Sequence, residues 1–129
     1  MNFIEAITSC FAKYTIFTGR AIRSEYWYWR LFELFLVIIS YRIDLMINSE
    51  NIMGHFSLFI FFLTFIPSFA VSIRRLHDLN KTGWWMLLVL TGIGNLLLLY
   101  WFIQKGNSGK NFHGEDPLVI LAKIRDDKL

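Results

Sequence analysis

Arg74-Arg75-Leu76-His77-Asp78-Leu79-Asn80-Lys81-Thr82-Gly83-Trp84-Trp85 decides how the rest of this chain is read. It is a short basic, polar strip between two strongly apolar runs. Three of the thirteen Lys and Arg residues lie in it, with one of three histidines and two of five tryptophans. Before the strip, Phe56 to Ile73 is an uncharged run of about 27 Å as a helix, close to the thickness of a bilayer's hydrocarbon. After it, Trp84 to Ile103 is a second apolar run of similar length. A polar strip so placed sits at a membrane surface. Arg74 and Arg75 end one span, Asn80 to Gly83 turn the chain, and Trp84-Trp85 seat the next segment at the interface.

Composition agrees. Of 129 residues, 55% are apolar and 18% aromatic, and the apolar ones are clustered rather than dispersed. The net charge of +3 is modest, and the basic residues form no dense stripe, so a nucleic-acid partner is not expected. With Cys10 alone, no intrachain disulfide can form. The N-terminal residues include Glu5 and lack a basic n-region, so no cleavable signal peptide is expected.

Working outward, Asn2 to Tyr14 places Phe3, Ile4, Ile7, Cys10, Phe11 and Tyr14 at helical spacing, within an amphipathic segment of residues 1–18. It is too short and polar to span a bilayer. It lies in the interface or packs on the rest of the protein. Arg20 and Arg23, then Tyr26-Trp27-Tyr28-Trp29, form a basic and then an aromatic entry to a first span over 27–47. That span carries Arg30, Glu33, Arg42 and Asp44. An ionisable group at a span's centre costs ~2.5–3.5 kcal/mol on insertion scales, so Glu33 should be paired or face other helices. Arg30 is its local candidate partner, an arginine of the strip the distant one. Residues 48–55 read as a polar turn, and Pro67 should kink or loosen the second span, 56–73.

The third run, 84–103, is interrupted by Thr91-Gly92-Ile93-Gly94-Asn95. It is either one broken crossing helix or a re-entrant hairpin of two halves. Twelve of the thirteen Lys and Arg residues lie at the start of the first span, in the strip, or after residue 104, and Arg42 alone does not. The positive-inside rule then puts both termini and the strip in the cytoplasm, which favours the hairpin. Residues 104–129 form a cytoplasmic tail. The predicted fold is thus an all-α integral membrane protein, in one domain.

Three motifs recur in order: Gly19-Arg20-Ala21 with Arg23-Ser24-Glu25-Tyr26-Trp27; Arg74-Arg75-Leu76-His77-Asp78 with Gly83-Trp84-Trp85; and Gly106, Gly109, Asn111, Gly114 and Asp116-Pro117. Over about residues 15 to 117 the chain resembles a family catalogued as a domain of unknown function, number eight hundred and five. It departs at Phe112-His113-Gly114, where the family has an aromatic directly before the glycine. It also has Gly92-Ile93-Gly94-Asn95 in place of a Pro-x-x-Gly break. The resemblance implies a multi-spanning bacterial inner-membrane protein and no particular activity.

Candidate functional residues therefore gather at the strip and the entry of the first span: Arg20, Arg23, Glu25, Glu33, Arg74, Arg75, His77, Asp78, Trp84 and Trp85. Arg74 and Asp78, four apart, are expected to pair. Arg75 and His77 are placed to meet an anionic head group or a carboxylate such as Glu25 or Glu33. The arginines of this group are expected to set topology and to join an internal ion-pair network with Glu25, Glu33 and Asp78; the second reading is one basic surface of Arg20, Arg23, Arg74, Arg75 and Lys81 at lipid head-group level. No nucleophile motif, phosphate loop or metal-ligand spacing accompanies His77, so no catalytic, metal or cofactor role is assigned. The expected function is structural or interactive, with the bilayer, anionic lipid or another membrane protein as partner, and a homo-oligomer compatible with either. The alternative is an oligomeric transporter or channel using Glu33 and the broken third run.

Overall fold

The structure is a computed structural model, and it describes residues 1–47, 50 and 54–129. The predicted turn over 48–55 lies mostly outside the described residues. His55, at its end, already belongs to a helix. Among the described residues every regular element is helical.

Helix α1, Phe3–Ala12, opens on a capping box. The Glu5 amide donates to Asn2 Oδ1 at 2.8 Å, and the Asn2 amide to Glu5 Oε2 at 2.9 Å. It ends two residues short of Tyr14. Helix α2, Arg23–Ile47, and helix α3, His55–Asp78, are the two long elements. Only α3 is, among the described residues, both long and apolar enough to cross a membrane, because α2 carries six charged residues along its length. Asp44 of α2 caps α3 across the turn. It accepts from the Phe56 and Ser57 amides at 3.1 and 2.7 Å, and so satisfies donors that a helix N-terminus leaves open.

The third apolar run reverses. A 3-10 helix, Gly83–Leu90, is followed by Thr91-Gly92 and helix α4, Ile93–Ile103. The rings of Trp85 and Trp101 meet at 5.3 Å between centroids. In one continuous helix these residues would stand about 24 Å apart along the axis. Gly92 takes φ +39° at the reversal. A Cβ on Gly94 would lie 2.4 Å from the Leu88 carbonyl oxygen, so the halves meet only over a glycine. The 3-10 form of the first half was not anticipated. At about 2.0 Å per residue it matches the reach of the longer α4 with fewer residues.

The core is small: Cys10 from α1, Ala21, Tyr26 and Trp29 at the start of α2, Val71 and Leu76 of α3, Leu98 and Phe102 of α4. All lie toward one end of the helices. Elsewhere, large apolar side chains face outward along α2, α3 and the hairpin, among them Leu34, Phe59, Phe62 and Leu96. Helix α5, Pro117–Asp126, starts with Asp116 accepting from the Leu118 amide at 2.9 Å and proline in the first turn.

Candidate functional site

The site is built on the last turn of α3. That helix ends with Asn80 at φ +58°, a left-handed conformation that asparagine tolerates better than most residues. The Lys81 amide donates to Leu76 O at 2.9 Å and the Asn80 amide to His77 O at 3.0 Å, which is a Schellman closure. It fixes Arg74, Arg75 and Asp78 where three other segments converge.

Asp78 is the hub. Its Oδ1 accepts from Arg20 Nε at 3.0 Å and its Oδ2 from Arg75 Nη1. Each guanidinium then spends its other N–H groups on backbone carbonyls. Arg75 donates to Ala21 O and Phe102 O, both at 3.4 Å, and to Gln104 O. Arg20 donates to Gly109 O at 2.6 Å, to Asn107 O, and to Gly114 O at 3.4 Å. The Asp78 carbonyl accepts from the Asn107 amide at 2.8 Å. Asp78, Arg20 and Arg75 are all buried. Buried charges are tolerable only when their hydrogen-bonding capacity is met, and this network meets it with the loop of residues 104–114. Gly106 permits the approach: a Cβ there would fall 1.9 Å from Asp78 Oδ2.

Arg74 does not pair with Asp78 as expected. Both arginines are within helical reach of that carboxylate, and tertiary partners decide between them. Glu25 of α2 takes Arg74 through Nη1 at 2.6 Å, and Arg20 completes Asp78. Glu25 Oε1 also accepts from Ser9 Oγ at 3.1 Å and has Lys13 Nζ at 3.9 Å. Arg74 Nε and Nη2 are buried without a hydrogen-bond partner among the described residues. Beside this pair, burial first and the Glu25 charge second push the Cys10 thiol up to about 12, so it stays protonated.

Glu33 lies outside the cluster, in a separate network. Arg30 Nη1 donates to its Oε2 at 2.6 Å and Ser68 Oγ to its Oε1 at 2.7 Å, while Trp29 Nε1 donates to Ser68 Oγ at 2.8 Å. The local arginine is its partner, not one from the strip. Arg30 also reaches Ser72 Oγ at 2.8 Å and lies over the Tyr26 ring at 5.2 Å. Ser68 and Ser72, four residues apart on one face of α3, satisfy neighbouring polar groups as their place in the second span suggests; sequence reasoning missed the part of Trp29.

His77 meets neither carboxylate. Its Nδ1 is 3.0 Å from Gly19 O, and its ring stacks on His113 at 3.9 Å with planes 3° apart. Burial, and then the charge of Arg20, hold His113 below the ordinary histidine value. Asp116 anchors the same loop. The Gly109 amide at 2.9 Å and the Leu118 amide hold its carboxyl below the ordinary range. Trp84 is exposed and Trp85 packs on Trp101, both away from the ion pairs. Lys81 lies over the Trp101 ring at 4.3 Å, and Arg23 is exposed with a 3.4 Å bond to Ile103 O. Arg20, Arg74 and Arg75 are inside, in ion pairs with Asp78 and Glu25, and do not join a common basic surface with Arg23 and Lys81. Burial costs a charge more than exposure does unless it is neutralised, and here each of the three has a carboxylate to go inside with.

The family model for "Protein of unknown function (DUF805)" matches residues 14–115. The chain is similar to the protein named Inner membrane protein YhaI of Escherichia coli (strain K12), 39% identical over 110 residues, 84% of this chain and 92% of that one. It is similar to Inner membrane protein YhaH of the same strain, 36% identical over 107 residues, 81% of this chain and 88% of the relative. No solved structure matches.

Proposed function

This chain belongs to the DUF805 family of proteins of unknown function, and from that premise we propose that it is a multi-pass inner-membrane protein with a structural or interaction role. Its working surface is then the cytoplasmic face held together by the Asp78 cluster. The relatives' names support the location. The outward-facing Phe, Leu and Ile of α2, α3 and the hairpin support embedding, since so much exposed apolar surface is tolerated in lipid and not in water. On this reading α2 and α3 cross out and back, and the hairpin enters and leaves on the cytoplasmic side.

One observation carries the role: the buried guanidiniums of Arg20 and Arg75 are spent on Asp78 and on six backbone carbonyls. Such a cluster fastens a loop to the helix ends and presents it as a rigid face. Reporter fusions at Leu129 test the topology; an outward-facing C-terminus overturns the hairpin arrangement. Mass spectrometry of proteins retained after gentle-detergent purification tests the role. Retention that is lost in Arg74→Ala/Arg75→Ala, while the variant still inserts, supports it. A variant that does not accumulate reduces the cluster to a purely structural device.

A second reading, an oligomeric transporter or channel, draws on a cavity of about 210 Å³ lined by Arg30, Ser72 and Asn95 between α2, α3 and the hairpin. Polar groups at that depth in a bilayer are uncommon without a function. Flux into liposomes holding the purified protein, compared with Glu33→Gln, tests it; no flux from either removes the reading.

A further inference from the structure

Two cavities adjoin at the start of α2. The first, about 350 Å³, is lined by Arg23, Ser24, Lys105 and Ser108, with Asp78 and Asp116 in its wall. The second, about 490 Å³, shares Arg23 and Ser24 and continues along Trp27, Tyr28 and Ile103. A polar, cationic chamber thus opens into an aromatic and aliphatic groove on the outward face of α2 and α4. The charges of the chamber sum to positive. Asp78 is held between Arg20 and Arg75, and Asp116 accepts from two amides, so four cations stand against two carboxylates. The two that remain at the surface, Arg23 and Lys105, are the least engaged: Arg23 makes one 3.4 Å bond to a carbonyl, and Lys105, whose charge acts on Asp116, is within salt-bridge distance of no carboxylate among the described residues.

We infer that this pair of cavities holds one anionic glycerophospholipid, its phosphate between Arg23 and Lys105 with the Ser24 and Ser108 hydroxyls, and its acyl chains along Trp27, Tyr28 and Ile103. Charge complementarity sets the head group, since each cation near an anionic lipid strengthens binding. The groove sets the class, since a free phosphate has no use for it. This inference rests on the membrane reading above.

The test uses the full chain purified in mild detergent, with retained lipid counted by native mass spectrometry as phosphatidylglycerol is titrated. Removing both cations in Arg23→Gln/Lys105→Gln should weaken retention by about tenfold or more. Ser108→Glu, on an exposed loop, should do the same if the double variant fails to fold. Lys123→Gln/Lys128→Gln, in the tail, should leave retention unchanged. Equal retention by wild type and the chamber variants, or equal loss in the tail variant, overturns the site. So does displacement of the lipid by inorganic phosphate. Alkaline carbonate that strips the wild type from membranes removes the membrane reading itself. A chain that stays embedded yet retains no phosphatidylglycerol removes the lipid site alone.

Discussion

The Tyr14 hydroxyl donates to the main-chain carbonyl of Leu63 at 2.7 Å, 49 residues away. Four residues on from Leu63 stands Pro67, which has no N–H to return to that carbonyl. The link after α1 therefore repairs a gap in α3, and it is assisted by an edge contact of Phe17 with Phe69. Tyr14→Phe should lower stability by about 1 kcal/mol, the usual net worth of such a bond. Pro67→Ala restores the helical donor, so in that background the loss should shrink. Thermal unfolding in detergent of the two single variants and the double variant measures this coupling. Purely additive losses would show that Tyr14 and Pro67 act independently.

Asp78→Asn leaves the Arg20 and Arg75 guanidiniums buried without their carboxylate. A loss of about 3–5 kcal/mol is expected, seen as reduced accumulation and a lower Tm. Arg23→Gln, at an exposed position, should change Tm little by comparison. Equal effects from the two would show that burial of the cluster is not what matters.

Gly106→Ala sets a methyl against Asp78 Oδ2. Relief requires the loop to lift, at about 1–3 kcal/mol by analogy with overpacked cores. Limited proteolysis at Lys105 and Lys110 should quicken, while cleavage at Lys123 stays unchanged. Unaltered cutting at Lys105 and Lys110 would mean that the loop absorbs the methyl in place.

Acid should release the same loop. In the folded loop His113 favours its neutral form, so the folded state binds fewer protons than the unfolded chain just below the ordinary value of 6.5. Its contribution is full above 6.5 and is lost as pH falls through the lowered folded value. His77 at stacking distance and Arg20 nearby add repulsion once His113 is charged. Asp116 acts lower on the scale: its contribution is full above 3.8 and disappears as pH falls through its depressed value. Hydrogen exchange of residues 104–116 at about pH 7.5 and about pH 5 reads the first window. A lower protection factor, corrected for the intrinsic rate at each pH, is expected at the lower pH in wild type and a flatter response in His113→Gln.

Much of this fold was legible because the decisive signals were local. Gly92 and Gly94 marked a break in the third apolar run, and the rings of Trp85 and Trp101 meet because the chain folds back there. Asn80 to Gly83 read as a turn, and Asn80 supplies its left-handed residue. The pairings were less legible. Arg74 and Arg75 differ by one position, and which of them reaches Asp78 depends on where Glu25 and Arg20 arrive from other segments. Helix register against a neighbour fixes that, and no spacing within α3 encodes it. The Asp44 cap on α3 was hidden for the same reason. As one of four charges in the predicted span 27–47 it read as a cost, and only its contact with the Phe56 and Ser57 amides makes it a fastening.

The span between Arg20 and the carbonyl of Gly114 is 94 residues. Ribosomes add about 5–20 residues per second, so Arg20 waits roughly 5–20 s for its last acceptor to be made. During that interval the cluster is open and its guanidiniums are hydrated. The network is thus a closing clasp, fastened only once residues 107–114 have been synthesised. A chain truncated before residue 107 would leave it undone. An early residue, Arg20, is thereby tied to acceptors made 87 to 94 residues later.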